Sequence, residues 1–126
     1  MIAYWDTNVI VWLAHGSRDR LSSRAQAILR QAELVISPMV LLEIEYQFEI
    51  QRVKLPSRDL LLKLENEIGL RVCDLPFGRV VNAAVLEKWT RDPFDRIIVS
   101  NAKANGLATL VSADERILAN YPKAIW

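Results

Sequence analysis

Apolar and polar positions along this chain form short apolar runs that alternate with segments of helical period. Residues 2–5, Ile-Ala-Tyr-Trp, read as a buried strand that stops at Asp6-Thr7-Asn8. The apolar stretch 9–14 predicts a short helix closed by His15-Gly16. Ser22-Ser23 supply an N-cap for a second helix through position 30, with Ala25, Ile28, Leu29 and Ala32 at helical spacing. Leu34-Val35-Ile36 is a strand stopped by Ser37-Pro38, and the helix expected over 40–53 carries Leu41, Ile44, Phe48 and Val53 on one face. Pro56 breaks the chain, Ser57 caps a helix bearing Leu60, Leu61, Leu64 and Ile68, and Gly69 stops it. Residues 70–73 form a third strand, 77–90 a helix ended by Arg91-Asp92-Pro93, and 94–105 a helix ended by Gly106. Strand 108–111, the turn Ser112-Ala113-Asp114, a short helix to Asn120 and a terminal strand 124–126 complete the pattern.

Short apolar strands alternating with helices predict a parallel sheet covered by helices on both faces. No repeat, low-complexity tract or linker divides the 126 residues, so residues 1–126 read as one domain. Ligands of such sheets bind beyond the carboxyl ends of the strands. Acids that follow strands therefore become informative.

Four acids satisfy that condition. Asp6 ends the first strand and Asp114 follows the strand 108–111. Glu43 lies early in the helix after Leu34-Val35-Ile36, and Asp95 lies in the first turn of the helix opened by Pro93-Phe94. Each has an ordinary structural explanation, as an N-cap, a helix-dipole partner or a solvated helix residue. Together at one sheet edge they would repel one another unless cations or protons intervene. Hard divalent ions, Mg²⁺ or Mn²⁺, fit an oxygen-only donor set better than zinc does, because the chain has one histidine and one cysteine. Carboxylate-held ions of this kind accept phosphate oxygens and activate water, which makes phosphodiester hydrolysis the reaction class.

Composition narrows the setting. At 52% hydrophobic and 25% charged residues the chain is ordinary globular protein, and its formal net charge of +1 gives no overall nucleic-acid footprint. That argues against a simple binding module, whose affinity rests on phosphate contacts. Cys73 alone excludes an internal disulfide, and its neighbours Val72 and Leu75 predict a buried thiol within a strand. No run approaches the roughly 20 apolar residues of a membrane span. The first residues read as a core strand rather than a leader, and the expected location is cytoplasmic.

At this point the motifs resemble those of a known family. Asp6-Thr7-Asn8, the segment from Ser37-Pro38 through Glu43-Ile44, Arg91-Asp92-Pro93-Phe94-Asp95-Arg96 and Ser112-Ala113-Asp114 look like the successive motifs of PIN-domain ribonucleases. The Asp-Pro-Phe-Asp-Arg string and the length resemble the VapC toxins of toxin–antitoxin pairs. The resemblance implies a three-layer α/β/α sandwich with a short, mainly parallel central sheet, Mg²⁺ or Mn²⁺ as cofactor, and endonucleolytic cleavage of RNA. It also implies a cognate antitoxin and a homodimer. Asp6, Glu43, Asp95 and Asp114 match the catalytic and metal-holding acids, with Asp6 and Asp95 the direct ligands. Thr7, Asn8 and Ser112 match supporting positions, with Asn8 expected to orient Asp6. Arg96 and Lys103 are candidate RNA-phosphate contacts; Arg96 could equally pair with Asp92, and Lys103 could be a solvated lysine.

Several alternatives stay open in the sequence. Glu45 and Glu49 share the helix with Glu43, and residues two apart on a helix point about 200° from each other. Flanking Leu42 and Ile44 make Glu43 the more enclosed choice. Asp92 rivals Asp95 but suits a helix cap, and Asp74 follows a strand as an extra acid. His15 suits a helix C-terminus, Trp5 and Trp12 suit the core, and Trp89 and Trp126 could stack on bases. An aspartate-nucleophile phosphatase would want an acid where Asn8 stands, and a phospho-receiver a lysine where Ala113 stands. A PIN-like nuclease outside any toxin–antitoxin pair and a non-catalytic RNA-binding domain remain as alternatives.

Overall fold

The computed structural model describes Met1–Trp126. Its centre is a five-stranded sheet in which every neighbouring pair is parallel. The strands are β1 (Ile2–Trp5), β2 (Glu33–Ile36), β3 (Arg71–Val72), β4 (Thr109–Val111) and β5 (Ala124–Ile125), in the order β3-β2-β1-β4-β5. Seven helices connect them: α1 (Thr7–Ala14), α2 (Ser23–Gln31), α3 (Pro38–Glu49), α4 (Ser57–Ile68), α5 (Phe77–Ala84), α6 (Pro93–Ala104) and α7 (Glu115–Asn120). Parallel crossovers are right-handed as a rule, which places the helices that build outward from β1 to β3 on one face. Those that carry the chain back past β1 to β4 and β5 lie on the other. The result is the expected α/β/α sandwich. None of the helices is long and apolar enough to cross a membrane.

The three central strands, β1, β2 and β4, are largely buried. Ala3, Tyr4, Trp5, Ile36, Leu110 and Val111 are fully enclosed, and Ile10, Ile44, Leu60, Ile98 and Ile117 close over them from the helices. The register aligns Trp5 with Val111, and the Asp6 N–H donates to Val111 O at 3.0 Å. The chain reverses its direction of growth between β1 and β4. That switch point is where open α/β sheets form their binding crevice.

Helix ends follow local chemistry. Asp6, Ser22, Ser37, Asp92 and Asp114 each cap the helix that follows by accepting from its first backbone N–H groups. Gly69 ends α4 at φ 68°. Ser57 is not a cap as expected: it is the first residue of α4, and Glu45 Oε1 accepts both its N–H (2.9 Å) and its hydroxyl (3.0 Å). His15 ends α1, its ring nitrogen bonding Val11 O at 2.8 Å.

Two helices are shorter than their periodicity suggests. The helix expected over 40–53 ends at Glu49, because Gln51 takes a left-handed φ of 65° and turns the chain so that Val53 is buried. The helix expected over 77–90 ends at Ala84. Beyond it Glu87 turns inward to pair with Lys103 and to accept from Trp89 Nε1, while Arg96 caps the released carbonyls of Ala84 and Val85. The sequence also gave no sign of the 3-10 turn at Arg18–Arg20, whose Arg20 lies over the Trp12 ring. Cys73 is buried but lies just past β3 rather than in it, and its sulfur accepts from Tyr4 Oη (3.0 Å) and Asn101 Nδ2 (3.2 Å).

Leu110 sits at the middle of this packing with no exposed surface. Leu110→Ala should lower the unfolding free energy by about 2–5 kcal/mol, read as a fall in urea midpoint at unchanged slope.

Candidate active site

A cleft of about 280 Å³ opens at the carboxyl edge of the sheet, beside the switch point. Its nine lining residues are Asp6, Thr7, Asn8, Glu43, Gln47, Arg52, Asp92, Asp95 and Asp114, none of them hydrophobic. All four acids singled out in the sequence meet there, joined by Asp92. Caps and cleft are the same chemistry. Asp6, Asp92 and Asp114 begin α1, α6 and α7, so the residues that satisfy helix N-terminal donors also present carboxylate to the cleft.

Asp6 is the most enclosed of the cleft acids. One carboxylate oxygen accepts from the Thr7 N–H (2.8 Å), the other from the Ser112 hydroxyl (2.7 Å). Ser112, fully buried at the end of β4, also accepts the Asp114 N–H at 3.1 Å and so links two of the acids. The Thr7 hydroxyl donates to Glu43 Oε1. Thr7 and Ser112 thus bond directly to the carboxylates of Asp6 and Glu43. Asn8 lines the cleft, but its expected task of orienting Asp6 is carried out by Thr7 and Ser112.

The rival acids separate clearly. Glu45 points away and is occupied at the start of α4, which leaves Glu43 facing the cleft. Asp92 is at once the cap of α6 and a wall of the cleft, a double role that its place before Pro93 only half revealed. Asp74 is exposed and outside the cleft. Neither candidate RNA contact reaches it. Arg96 pairs with no carboxylate, Asp92 included, and donates instead to Ala84 O (3.2 and 3.0 Å) and Val85 O (3.4 Å). Lys103 is ion-paired with Glu87 and lies 5.7 Å from the Tyr121 ring centroid. Trp126 packs edge-on against Trp12 and Trp89 donates to Glu87, so both are engaged within the fold. Sequence reasoning missed Gln47 and Arg52; Gln47 follows Glu43 by four residues, the helical spacing that could have found it.

Burial, with neighbouring negative charge, raises the pKa of three of these carboxylates. Burial, then the charges of Asp92, Asp6, Asp114 and Glu43, pushes Asp95 up to about 7. Asp6 is raised chiefly by burial, with Asp114 and Asp92 adding to it and the Ser112 and Thr7 hydrogen bonds opposing. Burial also raises Glu43, again against the Thr7 hydrogen bond, and Asp6 and Asp92 add to the rise. In this arrangement the acids ring the cleft without closing on one point, and no three acidic, histidine or cysteine side chains stand close enough to hold an ion between them. Repulsion among uncompensated carboxylates favours that separation. The donor chemistry nevertheless fits a hard divalent cation: five carboxylates with no sulfur or imidazole among them.

The comparisons with known proteins agree with this fold. The PIN domain family pattern matches residues 3–124. The fold is similar to VapBC2 from Rickettsia felis, in a crystal structure bound to a DNA fragment from their promoter, at 21% identity and a TM-score of 0.66 over 99% of this chain and 96% of that one. It is similar to VapBC-1 from nontypeable Haemophilus influenzae at 21% identity and 0.66, over 100% and 96%. A toxin-antitoxin complex from Klebsiella pneumoniae gives 16% identity and 0.62, over 98% and 96%. At these identities the likeness is one of fold. No curated protein matches the chain.

Two predictions follow from the geometry. Glu45→Ala should cost about 1–2 kcal/mol of stability, through the lost α4 contacts, and leave divalent-ion binding intact. Glu43→Ala should do the reverse; calorimetric titration with Mn²⁺ and urea unfolding separate them. The second concerns pH. Asp95 binds its proton more tightly folded than unfolded, so its contribution is present below about pH 4, the unfolded carboxylate range, and is lost as pH rises through about 7. The metal-free protein should melt at a lower temperature near pH 8 than near pH 5, Asp95→Asn should flatten the profile, and Mg²⁺ near pH 8 should restore the melting point. A flat wild-type profile would contradict the raised Asp95.

Proposed function

The chain belongs to the PIN domain family, and from that premise we propose that it is a metal-dependent endoribonuclease, the toxin of a VapBC-type toxin–antitoxin pair. PIN domains are nucleases that generally use divalent metal ions. The observation that carries the reading is the wholly polar cleft in which five carboxylates gather at the sheet's switch point. Asp6 and Asp95 would hold Mg²⁺ or Mn²⁺ directly, with Asp114 and Glu43 completing the oxygen donors. When bound, such an ion acidifies water and offsets charge on a phosphodiester in displacement.

The protein's own groups supply the rest. Ser112 fixes the plane of Asp6 by donating to one oxygen while the Thr7 N–H holds the other. Thr7 holds Glu43 through its hydroxyl. The N-termini of α1 and α6 face the same cleft, and their partial positive charge favours anionic groups there. No covalent nucleophile is needed, and His15, bonded to its own helix, is not placed to act as one.

The antitoxin partner is proposed by analogy with the toxin–antitoxin assemblies that share the fold. Leu42 and Tyr46 of α3 and Ile50 just past its end are exposed and supply apolar area of the kind that a protein partner, a second copy or the antitoxin, would cover.

The test incubates purified protein with mixed RNAs and DNAs in Mn²⁺ or Mg²⁺ and in EDTA. RNA cutting that requires the ion and falls to background in Asp6→Asn is expected; cutting indifferent to EDTA would overturn the proposal. Ser112→Ala, which removes the hydroxyl that supports Asp6 and accepts from the Asp114 N–H, should lose about 10–100-fold in activity or metal affinity.

A further inference from the structure

Arg52 is the only basic residue among the nine that line the acid cleft. Five carboxylates share that lining, yet Arg52 pairs with none of them. The ion pairs of the chain are Lys63–Glu67, Arg71–Glu33 and Lys103–Glu87, all elsewhere. The charges that act on Asp6, Glu43 and Asp95 are likewise those of other acids. The guanidinium is exposed and uncommitted.

Its root, by contrast, is fixed. The end of α3 is closed by paired C-terminal bonds: the Arg52 N–H donates to Gln47 O at 2.8 Å and the Gln51 N–H to Phe48 O at 2.9 Å. Between them Gln51 holds a φ of 65°, a conformation glycine adopts without steric penalty and glutamine does not. Val53, buried immediately afterwards, pins the chain on the other side. A cation near a helix C-terminus has an ordinary dipole benefit. That benefit accounts for the sign of the charge, but not for its direction toward a cleft of acids it does not neutralise. An arginine with a fixed root and a free planar fork is suited to a phosphate, which it can grip with two N–H groups.

We propose that Arg52 binds a phosphate of the RNA strand adjacent to the one that is cut, and thereby sets substrate affinity and the position of the strand along the cleft. This rests on the nuclease reading above. The scissile phosphate belongs with the carboxylate-held ions, and Arg52, beyond ion-pair distance from every carboxylate, meets its neighbour on the same strand. Gln47, whose carbonyl anchors Arg52, faces the same cleft.

Steady-state cleavage of a short single-stranded RNA tests this. Arg52→Ala should raise KM about tenfold, the loss of one charged hydrogen-bonded contact, with kcat changed by less than about threefold. Arg52→Lys should recover part of the affinity and Arg52→Gln none. The slope of log(1/KM) against log salt should fall in magnitude by about 0.7, the value of one phosphate contact on a single strand. Mn²⁺ titration should be unchanged. Once the cut is mapped, an uncharged methylphosphonate beside it should weaken wild type and add nothing to Arg52→Ala. A fall in kcat at constant KM, an unchanged salt slope or altered Mn²⁺ affinity would overturn the proposal, the last showing Arg52 to be a countercharge for the acids. Normal kinetics in Arg52→Ala with an active wild type removes this inference alone; a wild type that cuts no RNA with either ion removes the nuclease reading and this inference together. Circular dichroism and melting temperature, read on both Ala and Gln variants, separate misfolding from lost contact.

Discussion

Carboxylates repel one another, and five of them share one end of this sheet. The arrangement persists because four of the five are anchored by an interaction that owes nothing to catalysis. Asp6, Asp92 and Asp114 satisfy the first N–H groups of α1, α6 and α7, and Glu43 is held by Thr7. Capping normally contributes of the order of 1 kcal/mol per helix. Here the same bonds hold negative charges at a distance they would otherwise increase. The raised pKa of Asp95 is the residue of that conflict: burial and four neighbouring acids act on it, and no hydrogen bond to the carboxylate opposes them.

The conflict also organises charge over the whole molecule. The formal net charge is only +1, but five of the fifteen acids face the cleft beside one of the sixteen bases. The remaining surface therefore carries an excess of positive charge. A polyanion is attracted to the body of the protein and repelled at the site itself, unless cations occupy the cleft. Divalent ions thus serve two ends in the proposed function: they quiet the carboxylates and they make the cleft hospitable to a phosphate strand. A near-neutral total conceals both effects.

Much of this was legible along the chain. Apolar runs bounded by Asp, Ser, Pro and Gly gave the five strands and seven helices, and placed Asp6, Asp95 and Asp114 at element starts. The parallel sheet then brought those starts to one edge. The signals that worked are local, because a cap acts within a few residues and a strand's burial is written in its own side chains. Helix length was less legible. Residues 85–90 keep a helical look, yet the chain leaves the helix because Glu87 is bonded to Trp89 and to Lys103, the latter a helix away.

Side-chain direction was decided by the tertiary structure alone. Glu43 and Glu45 are chemically equal in the sequence; Ser57, twelve residues beyond Glu45, takes one and leaves the other to Thr7 and the cleft. Arg96 and Lys103 have the right charge and plausible spacing, but carbonyls of α5 and the carboxylate of Glu87 claim them first. Arg52 had no motif to mark it and reaches the cleft only because α3 ends in a left-handed turn. A sequence states which groups begin an element. Which partner a long charged side chain meets depends on residues brought near by folding, since such a chain can reach several neighbours and the packed core selects one.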